Sequence, residues 1–297
     1  MTSNTADLLA ADTSMGAVTL RVADLDAMTR YYRDAIALEV LGADADSVVL
    51  GRGTTAVMIL VHAPELRNAS PRDAGLFHTA ILFDTEEALA ASVYSVAQKH
   101  PGTFTGSSDH LVSKAFYFTD PENNGVELYW DRERAAWGWS HGSIEMSTLY
   151  LDPNEFLQQN LTEGAVDQPI IGGARVGHVH LQVGDTSVAR EFYVDRLGFE
   201  TTVSLGDSAL FVSAGGYHHH MAMNTWNSRG AGPRQLALGL AQIDIRVPSS
   251  DDLGALGERL GHFGHQVRDD GQTVSFDDPW NNLIRVTTGA ETHRTLT

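Results

Sequence analysis

The amino-acid sequence predicts an α+β fold made of four βαβββ repeats, and three observations carry that reading. Four short alternating strands recur along the 297 residues, each followed by a polar turn, an amphipathic helix and three further strand-like runs. The turn before the last strand recurs too: Asp120-Pro121-Glu122-Asn123-Asn124-Gly125-Val126-Glu127 is matched by Asp278-Pro279-Trp280-Asn281-Asn282-Leu283-Ile284-Arg285. The period is about 60 residues, a self-similarity that marks a repeat architecture.

Unit one opens with the strand 17–22 and passes Asp24 into a helix with Met28, Tyr31, Tyr32, Ile36 and Leu38 at helical spacing. Unit two opens with 78–83 and continues into a helix over 86–99. Unit three opens with 178–183, followed by a helix holding Val188, Phe192, Tyr193 and Leu197 and closed by Gly198, a residue that takes the left-handed cap at no steric cost. Unit four opens with 242–247 and has a helix around Leu253, Leu256 and Leu260. Between units two and three lies a connector with Trp137, Trp139 and a short helix expected after Asp152-Pro153. The chain thus divides into a first domain of two units (1–131), a connector (132–172), a second domain of two units (173–290) and a tail (291–297). One unit cannot bury its sheet alone. Two side by side form a curved sheet with helices outside and a concave inner face.

Hydrophobic residues make up 42% and charged residues 20%, as in ordinary globular proteins. No apolar run has the length of a membrane span, and the N-terminus has neither a basic nor a hydrophobic leader region. Cysteine is absent, which excludes disulfides, thiolate ligands and a cysteine nucleophile. A net charge of −18 repels nucleic acid and anionic membranes. These features predict a cytoplasmic protein whose partner is a small molecule.

The run Gly215-Gly216-Tyr217-His218-His219-His220 stands out. Read as a strand, it puts His218 and His220 on one face and His219 on the other. The inward position near the start of each first strand is Ala17, His78, His178 and Gln242 in units one to four; the last strands of units two and four offer Glu127 and Arg285. An isolated strand histidine is usually a satisfied core or surface residue. His78 and His178, however, share one repeat position, and Glu127 falls on the strand brought alongside. Two imidazoles and a carboxylate suit a mid-row divalent ion and form the facial triad of non-haem Fe(II) sites.

The segments 176–183, 213–220 with Asn224-Thr225-Trp226, and 116–121 leading to Glu127 resemble the vicinal oxygen chelate superfamily, which includes glyoxalase I, fosfomycin-resistance proteins and extradiol dioxygenases. The nearest likeness is to the four-unit catechol 2,3-dioxygenase group. The resemblance covers nearly the whole chain and implies two glyoxalase-fold barrels. It further implies Fe(II), with Mn(II) as the alternative, held by His78, His178 and Glu127. The expected activity is opening of a small aromatic diol by O2, as in aromatic catabolism. Tyr117, ten residues before Glu127, would steer substrate with His110. His220 would be the acid–base residue, and His219 would point away into a structural hydrogen bond. Two other classes stay open: a metal-dependent isomerase or lyase of the glyoxalase type, to which Gln242 could contribute, and a non-catalytic binding protein. In the best-known extradiol enzymes the last two units carry the site, whereas here the ligands are split between units two and three. Either these units pair, or the site closes across a homo-oligomer interface, or the metal is lost. The completeness of the set argues for pairing of units two and three, with units one and four forming a barrel without metal.

Overall fold

The computed structural model describes residues 8–140 and 143–289; the expected tail, 291–297, lies outside them. Unit one comprises β1 (Ser14–Val22), α1 (Leu25–Arg30, continued by a π-turn over Tyr31–Ala35), β2 (Glu39–Ala43), β3 (Ser47–Arg52) and β4 (Thr55–His62). Unit two comprises β5 (Gly75–Phe83), α2 (Glu86–Lys99), β6 (Phe104–Asp109), β7 (Ser113–Thr119) and β8 (Gly125–Asp131). The connector holds a 3₁₀ turn (Arg134–Ala136), β9 (Trp139–Ser140), β10 (Ser143–Ile144), β11 (Leu149–Tyr150), α3 (Pro153–Asn160) and α4 (Glu163–Asp167). Unit three comprises β12 (Ala174–Gln182), α5 (Thr186–Arg190, continued by a π-turn over Glu191–Arg196), β13 (Glu200–Ser204), β14 (Ala209–Ser213) and β15 (Met221–Asn224). Unit four comprises β16 (Gly239–Val247), α6 (Ser250–His262), β17 (Arg268–Asp269), β18 (Thr273–Asp277) and β19 (Leu283–Thr288). No helix among the described residues is long and apolar enough to cross a membrane.

The helices start where capping side chains satisfy free N–H groups. Thr85 accepts from the Ala88 N–H, Asp152 from Asn154 and Glu155, Asp185 from Ser187 and Val188, and Ser249 from Asp252. The apolar faces then pack inward. Met28, Tyr31, Tyr32, Ile36 and Leu38 are buried in unit one, and Leu253, Leu256 and Leu260 in unit four. Val188 departs from the sequence reading, since it sits on the outer side of α5 and is exposed. One continuous apolar core takes in residues from all four units.

Two sheets result, in the orders β17-β18-β19-β16-β1-β4-β3-β2 and β11-β6-β7-β8-β5-β12-β15-β14-β13. The hydrogen-bonded sheets therefore do not follow the halves 1–131 and 173–290. β5 of unit two pairs antiparallel with β12 of unit three, and β1 of unit one with β16 of unit four. The repeated Asp-Pro turns tie the sheets together. Tyr32 of unit one donates to Asp120 of unit two (3.0 Å), and Tyr193 of unit three donates to Asp278 of unit four (2.9 Å). The same Asp residues accept the backbone N–H groups of Asn124 and Asn282, which closes each turn.

Candidate metal centre

β5 and β12 run side by side through the middle of the nine-stranded sheet, with His178 opposite Ala80 and His180 opposite His78. β8 flanks β5 in parallel, with Glu127 opposite Ala80. Strand alternation then puts His78, His178, His180 and Glu127 on the concave face. Ala80 lies between Glu127 and His178, and its methyl group leaves room for both side chains. Gly177 is required next to His178, because a Cβ there would sit 1.7 Å from the Tyr129 hydroxyl.

His78 Nε2 lies 2.9 Å and His178 Nε2 3.1 Å from the same Glu127 oxygen, Oε2. The three donor atoms all lie within 4.8 Å of one another, and all three residues are buried. The His78 Nε2 contact with Glu127 lacks the alignment of a hydrogen bond. Burial of a polar atom without a partner costs free energy, so convergence of three donors on one point fits an ion better than it fits a hydrogen-bonded core. Burial holds His178 down to about 4, which leaves its ring neutral with a lone pair to offer at neutral pH. Burial alone would raise Glu127, but the neighbouring imidazoles outweigh it and hold the carboxyl well below its usual range. Two imidazoles and one carboxylate are a donor set for a mid-row divalent cation.

The donors open on a cavity of about 990 Å³, large enough for a substituted aromatic ring. Tyr117 and His110 line it. Tyr117 stands opposite Glu127 in the β7–β8 ladder. His110 Nδ1 bonds the Ser147 carbonyl (2.7 Å), so this nitrogen carries the proton and Nε2 accepts from the Tyr117 hydroxyl (2.7 Å). Phe77, Phe211 and Trp226 supply aromatic walls. His180 also faces the cavity but is held by the Asn224 side-chain amide (3.0 Å) and lies outside the three-donor cluster.

The triple histidine is arranged differently from its strand reading. β15 begins only at Met221, and His218 to His220 belong to a turn. Gly215 (φ +61°) and Gly216 (φ +69°) are left-handed, and a Cβ on Gly215 would sit 2.1 Å from the Ala11 carbonyl oxygen. The turn breaks the two-residue alternation, and His219, not His220, reaches the cavity. His220 is turned away from it: Nδ1 accepts the Ala214 N–H (3.2 Å), and the ring packs on Tyr217. His220, expected as the acid–base residue, thus lies outside the cavity lining.

His219 stands over His178 with ring centroids 4.1 Å apart. Behind it runs a buried hydrogen-bonded chain that sequence reasoning missed. His218 Nε2 donates to Asp131 Oδ1 (2.9 Å), which leaves His218 Nδ1 to accept from His219 Nδ1–H (2.8 Å). Tyr217 donates to the other Asp131 oxygen (2.7 Å) and accepts from Tyr129 (2.8 Å). The chain fixes the His219 tautomer with the Nε2 lone pair free. Burial and the neighbouring histidines hold His219 well below the usual histidine range, so its ring is neutral with Nε2 unprotonated. Asp131 ends β8 four residues after Glu127, a spacing that offered no signal by itself.

The eight-stranded sheet carries the same frame without the donors. Gln242 holds the position of His78, Asp244 that of Ala80 and Arg285 that of Glu127. Arg285 clasps Asp244 through two hydrogen bonds (2.9 and 2.8 Å), and Gln242 donates to Asp244 (2.7 Å). Among the described residues no metal-binding cluster forms there.

Comparison with known proteins agrees with this architecture. The chain is 33% identical over 273 residues to the catechol-2,3-dioxygenase of Bacillus subtilis (strain 168), covering 90% of this chain and 94% of that one. A solved structure from Bacillus subtilis subsp. subtilis str. 168, provisionally described as a dioxygenase, superposes with a TM-score of 0.60 at 15% identity over 93% of this chain and 85% of the other. Glyoxalase I from Zea mays superposes with a TM-score of 0.56 at 16% identity over 93% and 92%. Residues 14–128 and 175–286 match the model of the glyoxalase/bleomycin resistance protein/dioxygenase superfamily, and with both halves of the chain matched, the protein belongs to that superfamily.

Proposed function

We propose that this protein is an extradiol ring-cleaving dioxygenase. It would open a catechol-type ring with O2 at Fe(II), or Mn(II), held by His78, His178 and Glu127. The observation that carries the reading is the convergence of His78 Nε2, His178 Nε2 and Glu127 Oε2 at the wall of an aromatic-lined cavity. The relative named a catechol-2,3-dioxygenase supports it. A two-histidine, one-carboxylate set leaves positions open for substrate and oxygen. When bound, the metal would supply oxygen activation and acidify a coordinated diol.

The protein's own groups do the rest. His219 Nε2 takes a proton from the diol and later returns it; Asp131 and His218 hold its ring and tautomer. Tyr117 commits its proton to His110 and turns its oxygen lone pairs toward the substrate hydroxyl. Phe77, Phe211 and Trp226 orient the ring and exclude water. One ring C–C bond breaks, and both atoms of O2 enter the product. The glyoxalase-type reading is disfavoured, because Gln242 is committed to Asp244 in the other sheet. Anaerobic loading with Fe(II), then oxygen uptake with a panel of catechols, tests the proposal. Stoichiometric uptake with a yellow ring-opened product is expected; no uptake by fully loaded protein with any diol would overturn it.

A further inference from the structure

The cavity wall carries a cation that the ring-cleavage chemistry does not use. Arg234 comes from the segment between β15 and β16 and lines the cavity. Its backbone is clamped by the second Asp-Pro turn: the Arg234 N–H donates to the Trp280 carbonyl (3.1 Å), and Asn281 donates to the Arg234 carbonyl (3.2 Å). One guanidinium nitrogen, Nη2, donates to the Leu240 carbonyl. Nη1 lies 3.0 Å from where a Cβ of residue 75 would stand, and residue 75 is a glycine at φ +145°. The chain thus leaves out a side chain where the guanidinium passes.

Among the described residues Arg234 makes no ion pair, although the chain holds 38 acidic residues. Arg21, also half-buried and without an ion pair among the described residues, stands within electrostatic range and repels it. Asp278 and Asp73 attract it from a distance, but neither makes an ion pair with it among the described residues. Asp278 is bound by Tyr193, Asn282 and the Trp280 N–H, and Asp73 accepts from the Ser70 N–H. Glu122, which also reaches the wall, accepts the N–H groups of Ala23 and Asp24 on Oε1, while its Oε2 is buried without a hydrogen bond and makes no ion pair with Arg234 among the described residues. A guanidinium cannot shed its charge. Two of them part-buried within electrostatic range, neither in an ion pair among the described residues, are an arrangement that an incoming anion would stabilise, and the planar fork matches a carboxylate.

We propose that Arg234, backed by Arg21, is an anion-recognising subsite, and that the substrate is a catechol-type diol bearing a carboxylate side chain. Gly75 is three strand residues from His78, about 10 Å. That span accommodates an aromatic ring chelated at one end and a carboxylate on a short carbon arm at the other. The inference rests on the ring-cleavage reading for the identity of the ring, but the anion subsite is tested apart from it.

The experiment has two arms. In the first, Fe(II)-loaded enzyme is assayed with 3,4-dihydroxyphenylacetate, 3,4-dihydroxyphenylpropionate and neutral 4-methylcatechol. The expected result is kcat/KM at least about tenfold higher for a carboxylated diol, with that ratio lost in Arg234→Gln and partly kept in Arg234→Lys. Equal or better turnover of 4-methylcatechol overturns the subsite while leaving ring cleavage standing. In the second arm, phenylpropionate and its neutral amide are titrated into metal-free protein by calorimetry, a readout independent of iron and oxygen. Tighter binding of the acid, weakened by salt and abolished in Arg234→Gln, supports the subsite. Equal binding of acid and amide by the wild type overturns it without recourse to any variant. No oxygen uptake with any diol would fail the ring-cleavage reading alone.

Discussion

Arg285→Met should unfold this protein easily at neutral pH and much less easily in acid. Arg285 grips Asp244 with two hydrogen bonds, and Asp244 is 1% exposed. Removing the guanidinium takes the Arg285 counter-charge away from a buried carboxylate, a change that typically costs about 3–5 kcal/mol. An independent ceiling comes from titration. The carboxyl can escape by taking a proton, which at pH 7 is about three pH units above its ordinary value, or about 4 kcal/mol. The two estimates agree. For a chain of this size, 4 kcal/mol lowers the melting temperature by about 8–16 °C. The penalty should shrink towards zero near pH 4, where protonation is free. Urea melts of variant and wild type at pH 7 and pH 4.5 measure both. Asp244→Leu/Arg285→Met should recover most of the loss, since an apolar pair of similar volume replaces a buried ion pair at little cost. Asp244→Ala should be milder than Arg285→Met, because the Arg285 side chain is 24% exposed and rehydrates. A loss under about 1 kcal/mol at pH 7, or one that does not shrink in acid, would refute the view that an ion pair fills the place of the metal donors in this sheet.

Glu127→Gln should keep its fold by circular dichroism but lose bound metal by elemental analysis; full occupancy would remove Glu127 from the donor set. His219→Ala should lose about 10²- to 10⁴-fold in kcat while keeping its metal, and His220→Ala should remain near wild type; the opposite ranking would restore the strand reading of the triple histidine. Metal-free protein should weaken as pH falls from 7 to 5. His178 and His220 titrate at about 4 and about 3 in the fold against 6.5 in the unfolded chain. Below pH 6.5 the unfolded chain takes up protons that the fold refuses. The stability these neutral rings contribute is therefore full above 6.5, and each loses about 2 kcal/mol by pH 5. Urea midpoints unchanged across that range would count against their burial as neutral rings.

The sequence made the scaffold legible because strand alternation and helix period are local rules. His78 and His178 share a repeat position, and the partner strand brings Glu127 to the same face, so register alone placed three donors together. Tyr117 and His110 were named by resemblance, Tyr117 through its place ten residues before Glu127. The histidine run failed for a stated reason: two left-handed glycines turn it into a loop, where parity has no meaning. Asp131, Tyr129 and Tyr217 were invisible, because their contacts cross about 90 residues of sequence. The Asp-Pro turn was visible as a motif, but its task of binding a tyrosine of the neighbouring unit was not.

The interleaving of the two halves has a consequence for the birth of the chain. His78 leaves the ribosome about a hundred residues before His178, its neighbour in the folded sheet. At ordinary synthesis rates of about 5–20 residues per second, that is an interval of about 5–20 s. During it the edge of β5 waits unpaired for β12, as β1 waits for β16. An unpaired strand edge rich in apolar residues is a template for wrong partners. The nascent first half therefore holds two of the three candidate metal ligands, His78 and Glu127, and two open edges until the second half arrives.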